Sequence, residues 1–426
     1  MASEAKGLKE GKEVRLLGWV HSVRDLGKIR FIILRDKSGL IQLVISRSFT
    51  PPEAFEEAAK LRKEYVVEVK GVVSKTGRAP GGAEVHVKSL KVLREASVPT
   101  HLEPDQHVKL SMDERLDGRI LDLRRPSNMA LFKINAEVLK AIRAFLDLKG
   151  FIEVHTPRII ATATEGGAAL FPIAYYDKEA FLTQSPQLFK EQLTSVFEAV
   201  YEIGPLFRAE ESHTVRHVSE FIGVDVEQAF ATEEDVMKLL EELIYTVVKH
   251  VKEKCSEDLK ELGVDLKVPT LPFKRLDYAE AVELLRQRGF DIRWGEDLST
   301  EAERILGTIY PEPHFIVNWP TKLKPFYIMY KEDNPEICYA FDLSYGWIEI
   351  ASGGRRVHDK EILVRRLKDQ GLNPEAFQYH LKVFDWGMPP HAGWGLGLAR
   401  LMMAITNREN IREVILFPRD RWRLTP

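Results

Sequence analysis

Cysteine is nearly absent from this chain: Cys255 and Cys338 are the only two in 426 residues, far apart and outside any Cys-x-x-Cys or Cys/His spacing. That excludes a disulfide framework, gives no sign of a structural zinc, and points to a reducing cytoplasm. No apolar run approaches the ~20 residues that cross a bilayer, and the opening MASEAKGLKEGKEV lacks the apolar core of a signal peptide. No membrane partner is expected. A Gly-x-x-x-x-Gly-Lys-Ser/Thr segment is missing too, so any nucleotide would be held by something other than a P-loop. There is no βαβ alternation, internal repeat or low-complexity tract, which leaves a large antiparallel α+β domain as the expectation.

What is present is globular. Hydrophobic residues make up 44% and charged residues 29% of a length that suits two or three domains. The net charge of −3 argues against a nonspecific nucleic-acid binder, but its distribution is uneven. Residues 1–100 carry 19 Lys and Arg against 12 Asp and Glu, a net of +7, leaving −10 for the remainder. The N-terminal part is thus suited to meeting a polyanion.

That part reads as short strands, KEVRLLGWVHSV, KIRFIILRD and LIQLVIS, then a helical PPEAFEEAAKLR, then YVVEVKGVVSK and AEVHVKSLKVL. Three strands, a helix and two strands is the order of an OB barrel, whose open face commonly binds single-stranded nucleic acid, although any small β-barrel could produce this pattern. The boundaries expected are a barrel over 1–98, a polar, proline-containing hinge over 99–127 and a second domain over 128–426. The second domain opens with a helix, on the spacing of Leu131, Ile134, Val138, Ile142 and Phe145, followed by a strand FIEVHTPRII. Further helices are expected over 233–254 and 279–287. GWGLGLAR is glycine-rich but reads as a loop entering a helix, so a dinucleotide fingerprint is not supported.

The stretch YEIGPLFRAEESHTVRHVSEFIGVD reads as two strands around a polar loop. Alternation lets Arg208, Glu210, Asp225 and Glu227 share one sheet face. A face carrying both signs of charge is a solvated surface or the floor for a ligand that is itself both cationic and anionic. His213 and His217 stand four apart, but in a loop with no third ligand they do not suggest a metal.

Three segments, KGFIEVHTPRI, FRAEESHTVRHVSEF and GWGLGLARL, resemble in order motifs 1, 2 and 3 of class II aminoacyl-tRNA synthetases. With the barrel in front, and with TATEGGAALF, QSPQLFKEQL and EIASGGRRVHD, the whole chain is similar to the aspartyl-tRNA synthetase pattern of archaeal and eukaryotic type. The resemblance implies that L-aspartate is activated with ATP and Mg²⁺ and transferred to the 3′ end of tRNA(Asp). It implies an antiparallel catalytic sheet with flanking helices, and a homodimer formed through motif 1, where Pro157 lies. Arg208 would hold the α-phosphate and the amino-acid carboxylate together. Glu210 would accept from the adenine amino group, Phe221 would stack on the ring, and Arg216 and His217 would reach the β- and γ-phosphates. Arg400 would cover the other adenine face, with Gly393, Gly395 and Gly397 allowing close backbone approach. Arg208 and Arg400 are the catalytic residues so implied. Asp342, Glu349 and Ser352 match the Mg²⁺ ligands. Ala399 stands where many class II enzymes have glutamate.

For the amino acid, the resemblance assigns Glu165 and Asp225 to the α-ammonium, Gln187 to the substrate backbone, and Lys190 and Arg356 to the side-chain carboxylate, with Ser352 nearby. Lys and Arg only donate, so asparagine would point its amide N–H groups at two cations. Asparagine activation and a noncatalytic RNA-binding paralogue are the alternatives. On the barrel, Phe31 would stack on an anticodon base and Gln42 would read a base edge. His21 and Pro80 resemble the pair found in relatives that also accept tRNA(Asn), which adds that tRNA to the expected partners.

Overall fold

The computed structural model describes residues 1–77, 79, 81–97, 110–162, 170–209 and 214–426. Two compact units emerge, Met1–Asn128 and Met129–Pro426.

In the first unit, strands β1 (Glu13–Asp25), β2 (Ile29–Asp36), β3 (Gly39–Ser46), β4 (Val66–Lys75) and β5 (Ala83–Arg94) close a barrel in the order β1-β2-β3-β5-β4. Period-two alternation sends Ile32, Leu34, Ile41, Leu43, Ile45, Val67, Val69, Val85 and Val87 inward. The helix Pro52–Ala59 sits between β3 and β4 in sequence and buries Phe55. Arg30 anchors that helix, with its guanidinium 4.2 Å from the Phe55 ring and Nη1 donating to Phe55 O at 2.7 Å. The described part of the expected hinge contains two short helices, Met112–Asp117 and Arg119–Asp122. Asp122 joins Arg115, Arg119 and Arg125 there at 2.9–3.4 Å.

The second unit is built on eight strands: β6 (Ile152–Glu153), β10 (Ala199–Phe207), β11 (Glu220–Ala229), β12 (Lys274–Asp277), β13 (Pro313–Val317), β14 (Ala340–Tyr345), β15 (Ile348–Arg355) and β16 (His391–Gly397). Their order is β12-β13-β14-β15-β16-β11-β10-β6, antiparallel except at the β12/β13 and β10/β6 pairs. A small sheet of β7 (Ile159–Ile160), β8 (Pro172–Tyr175) and β9 (Lys178–Leu182) stands apart from it. The helices Pro126–Leu148, Glu233–Lys254 and Leu398–Thr406 supply much of the core on one face of the large sheet. Among the described residues no helix is long and apolar enough to cross a membrane.

Two expectations need correcting. FIEVHTPRII is not one strand: β6 ends at Glu153 and β7 begins at Ile159. Pro157 has no N–H for a ladder, and the Thr156 N–H and hydroxyl both turn to Glu202, each at 2.8 Å. The glycine-rich GWGLG is not a loop. It lies in β16, an inner strand between β15 and β11, and passes directly into the helix Leu398–Thr406. Its neighbours are antiparallel, so the geometry is still not that of a dinucleotide fold.

Candidate active site

The face of the sheet opposite the helical core carries a cavity of about 300 Å³. Strand pairing explains which side chains reach it. Asp225 pairs with Gly395, Gly395 with Ser352, and Ser352 with Asp342, so these four form one row across β11, β16, β15 and β14. Residues directly opposite in a ladder share a face. Gly395 contributes no side chain, which leaves open floor between Asp225 and Ser352. Glu349 should point away, because it lies an odd number of residues from Ser352. A bulge prevents this: Leu343 pairs with Ala351 but Ser344 pairs with Glu349, so Ile350 is the extra residue. Glu349 and Ser352 therefore line the same cavity.

Of the side chains expected at the site, Gln187, Arg208, Arg216, His217, Phe221, Asp225, Glu349, Ser352, Arg356 and Arg400 line this cavity, with Gly397 beside them. Nothing comes within 3.8 Å of where a Cβ on Gly397 would sit, so the backbone there is open to close approach. Glu165, Glu210 and Pro80 lie outside the described residues. Asp342 lines an adjoining chamber that shares Arg216, His217, Lys324, Glu349, Ser352 and Arg400 with the first. Arg355 turns elsewhere, pairing with Glu233 at 2.7 Å.

Behind one end of the cavity charges are buried and paired, and Lys190, expected at the site, is there among them and not among the residues that line the cavity, as are Glu227 and Glu191. Lys190 is 2% exposed, and its Nζ donates to Asp225 Oδ1 at 3.0 Å, Trp394 O at 3.2 Å and Val226 O at 3.4 Å. All three ammonium protons thus have protein acceptors. Arg356 meets Glu227 through Nε at 2.9 Å and Nη2 at 3.3 Å, using two of its five donors. Burial alone would lower the Arg356 pKa, but Glu227 holds it raised. Gln187 donates to Glu191 Oε1 at 2.6 Å. Glu191 lies 3.3 Å from His380 Nε2 and 3.6 Å from His391 Nε2, all three fully buried. Burial opposes ionisation of Glu191, yet the two histidines hold its carboxyl well below the usual range. Burial would lower the His391 pKa, but Glu191 raises it.

At the other end the groups expected to meet the nucleotide are engaged with protein partners. Arg208 lies 5.4 Å from the Phe221 ring. Arg400 Nη1 donates to Glu349 O at 3.2 Å and approaches its Oε1 at 3.4 Å, and Nη2 lies 3.2 Å from His217 Nε2. Arg216 is ion-paired with Glu303 and donates to Thr300 Oγ1 at 2.5 Å. Burial pushes Glu303 up to about 7, with Arg216 pulling down and Glu349 pushing up. Lys324 Nζ lies 2.5 Å from Asp342 Oδ2. Burial would lower Lys324, but Asp342 holds it raised.

Sequence reading missed Lys324, Glu303, Glu191, His380 and His391. None lies in the segments that carried the motif argument except Glu191 in QSPQLFKEQL and His391 just before GWGLG. For Glu303, Glu191, His380 and His391 the available signal was a titratable residue within a helix or strand, whereas Lys324 lies in neither.

On the barrel, Phe31 pairs with Val44 and Ile33 with Gln42, which sets Phe31 and Gln42 in adjacent rows of the outer face. Gln42 Nε2 donates to Glu84 Oε2 at 2.8 Å, leaving its carbonyl oxygen outside that bond. His21 occupies a bulge between Val20 and Ser22, with Nδ1 3.4 Å from Arg35 Nη1. Arg35 is held in turn by Glu64 at 2.7 and 3.0 Å.

Comparison with known proteins adds to this geometry. The sequence model for class II tRNA synthetases (D, K and N) matches residues 111–421, and that for the OB-fold nucleic acid binding domain matches residues 14–93. The chain is 52% identical to the aspartate–tRNA(Asp/Asn) ligase of Methanopyrus kandleri over 98% of its own length and 97% of that protein. It is 48% identical to the aspartate–tRNA(Asp) ligase of Pyrococcus abyssi over 100% and 99%. Among solved structures, asparaginyl-tRNA synthetase from Pyrococcus horikoshii complexed with asparaginyl-adenylate is similar with a TM-score of 0.93 and 36% identity, covering 98% of this chain and 97% of that one.

Proposed function

The chain belongs to the class II tRNA synthetases of the aspartate, lysine and asparagine group, and from that premise we propose that it activates L-aspartate with ATP and charges both tRNA(Asp) and tRNA(Asn). One observation carries the choice of amino acid: two buried side chains that can only donate, Lys190 and Arg356, meet at the Asp225 and Glu227 carboxylates, Lys190 at 3.0 Å from Asp225 and 3.5 Å from Glu227, and Arg356 at 2.9 Å from Glu227. A substrate carboxylate satisfies such donors, whereas an asparagine amide sets N–H against N–H. Lys190 exchanges one present acceptor for the substrate. Arg356 has donors beyond the two on Glu227.

The substrate's α-ammonium goes to Asp225 and its α-carboxylate to Arg208. That carboxylate attacks the α-phosphorus in line, one P–O bond forms, the bond to the β-phosphate breaks, and pyrophosphate leaves with the electron pair. Arg208 stabilises the charge that gathers on the equatorial oxygens. Phe221 and Arg400 sandwich the adenine. The adenylate then passes its aspartyl group to the 3′-hydroxyl of the terminal ribose, releasing AMP. No protein nucleophile takes part.

Asp342, Glu349 and Ser352 fit a magnesium ion. They are an all-oxygen donor set, Asp342 Oδ1 is buried with no hydrogen-bond partner among the described residues, and Ser352 is the cross-strand neighbour of Asp342. Mg²⁺ is commonly held by one or two carboxylates plus phosphates. Bound there, it would neutralise phosphate charge. Exposed Ile152 and Ile159 flank Pro157, which suits self-association of two copies through motif 1.

Aspartate-dependent exchange of pyrophosphate into ATP, followed by charging of purified tRNA(Asp) and tRNA(Asn), tests the proposal. Exchange with asparagine instead of aspartate would overturn it.

A further inference from the structure

No motif points to Lys324, yet it lines both the cavity and the adjoining chamber. Its ammonium lies 2.5 Å from Asp342 Oδ2 and 3.9 Å from the centre of the Trp319 ring. The backbone that carries it is pinned. Arg366 Nη2 donates to Thr321 O at 3.3 Å, Lys324 O at 3.2 Å and Pro325 O at 3.2 Å, while Gln370 Nε2 donates to Lys324 O at 2.9 Å. The second carboxylate of the proposed metal set, Glu349, faces Arg400 at 3.4 Å. Each carboxylate that would bind the ion therefore already faces a fixed cation.

This pairing has an electrostatic consequence. Asp342 and Glu349 already face Lys324 and Arg400, and Glu303 of the same chamber faces Arg216, so a bare divalent ion would have to displace resident cations from the carboxylates it needs. A divalent ion arriving with a triphosphate brings its own negative charge, and the phosphates offer the displaced ammonium new acceptors. We infer that Lys324 is a resident counter-cation that makes metal binding at Asp342 conditional on nucleotide. The ammonium holds Oδ2; phosphate oxygens would draw it away, leaving Asp342 free to hold the ion. Lys324 is a positioning residue in this scheme, and the scheme rests on the assignment of Asp342, Glu349 and Ser352 as the metal set.

Equilibrium dialysis of Mn²⁺ against the full-length chain, with and without ATP, tests it with a readout independent of turnover. The wild-type chain should retain Mn²⁺ with ATP and bind it at least tenfold more weakly without. Lys324→Met should bind Mn²⁺ without nucleotide at least tenfold more tightly than wild type. Lys324→Gln, which can still donate to Asp342, gives a second reading if the methionine variant does not fold. Asp342→Asn should lose the ATP-dependent ion. If Asp342→Asn loses that ion but neither Lys324 variant gains nucleotide-free binding, the role given to Lys324 is wrong while the metal set stands. If Asp342→Asn keeps the ion, the metal set and the inference both fall. Wild-type binding that is equally tight with and without ATP also overturns the inference.

Discussion

Gly395 and Asp225 face each other across the β16/β11 pair, and the side chain that one lacks is the room the other's carboxylate occupies. A Cβ on residue 395 would sit 3.1 Å from Asp225 Oδ1, the oxygen that Lys190 holds at 3.0 Å. Contact that close forces the carboxylate to shift by a few tenths of an ångström. Gly395→Ala should therefore raise the Michaelis constant for aspartate about tenfold, a cost of ~1.4 kcal/mol, with that for ATP little changed. Steady-state pyrophosphate exchange measures both, and an unaltered aspartate constant would show that the carboxylate does not need this position.

Lys190→Met and Arg356→Met should each reduce aspartate use far more than ATP affinity. Hydrogen bonds to a charged group contribute about 1.5–3 kcal/mol, so kcat/KM for aspartate should fall at least tenfold. Lys190→Met also removes the ion-pair partner of buried Asp225, which costs about 3–5 kcal/mol of stability, whereas after Arg356→Met Glu227 keeps Lys190 at 3.5 Å and Gln187 at 3.4 Å, so Tm belongs beside the kinetics. A raised constant for ATP with aspartate unaffected would refute the assignment.

Phe31→Ala should weaken tRNA charging and leave pyrophosphate exchange intact, because every residue lining the cavity belongs to the second unit. Stacking is worth roughly 1–3 kcal/mol per base. Charging that survives the substitution at full efficiency would remove Phe31 from the anticodon site.

Charging rates on tRNA(Asp) and tRNA(Asn) should lie within a hundredfold of each other. His21→Trp should widen the ratio, because a larger ring in the bulge beside Arg35 adds contacts that can penalise one base. A wild-type ratio beyond a hundredfold, or a ratio indifferent to His21→Trp, counts against the assignment.

Glu303 predicts a pH dependence of stability. Its carboxyl is raised from 4.5 to about 7 in the folded chain, so the folded state keeps a proton that the unfolded state releases. Stability from that proton is fully present below pH ~4.5 and is lost as pH rises through about 7. At ~1.4 kcal/mol per unit, the loss is about 3 kcal/mol at most. Glu303→Gln, which imitates the protonated acid, should melt close to wild type at pH 5 and higher than wild type at pH 8. A difference in Tm that does not grow across that range would sink the idea.

Local pattern was enough wherever one periodicity ran unbroken between clear turns. The barrel strands, the Pro126–Leu148 helix and the β10/β11 hairpin all appear where alternation or helical spacing set them. The same alternation put Arg208, Asp225 and Glu227 on one face before any partner strand was known. The resemblance of short segments named Lys190, Arg356 and Arg400, of which the structure sets Arg356 and Arg400 in the cavity wall and Lys190 behind Asp225.

Tertiary structure decided the rest, for three physical reasons. Glycine has little strand preference of its own, so β16 is a strand only because β11 and β15 hydrogen-bond to it on both sides. A bulge has no local signature in IEIASGG, and yet the extra Ile350 is what turns Glu349 and Ser352 to the same cavity. The ion pairs Lys324–Asp342, Arg216–Glu303 and Lys190–Asp225 join residues 18, 87 and 35 positions apart. Sequence determines that such charges exist and that burial will force them to find partners; which charge meets which is decided only when the strands and helices that carry them pack.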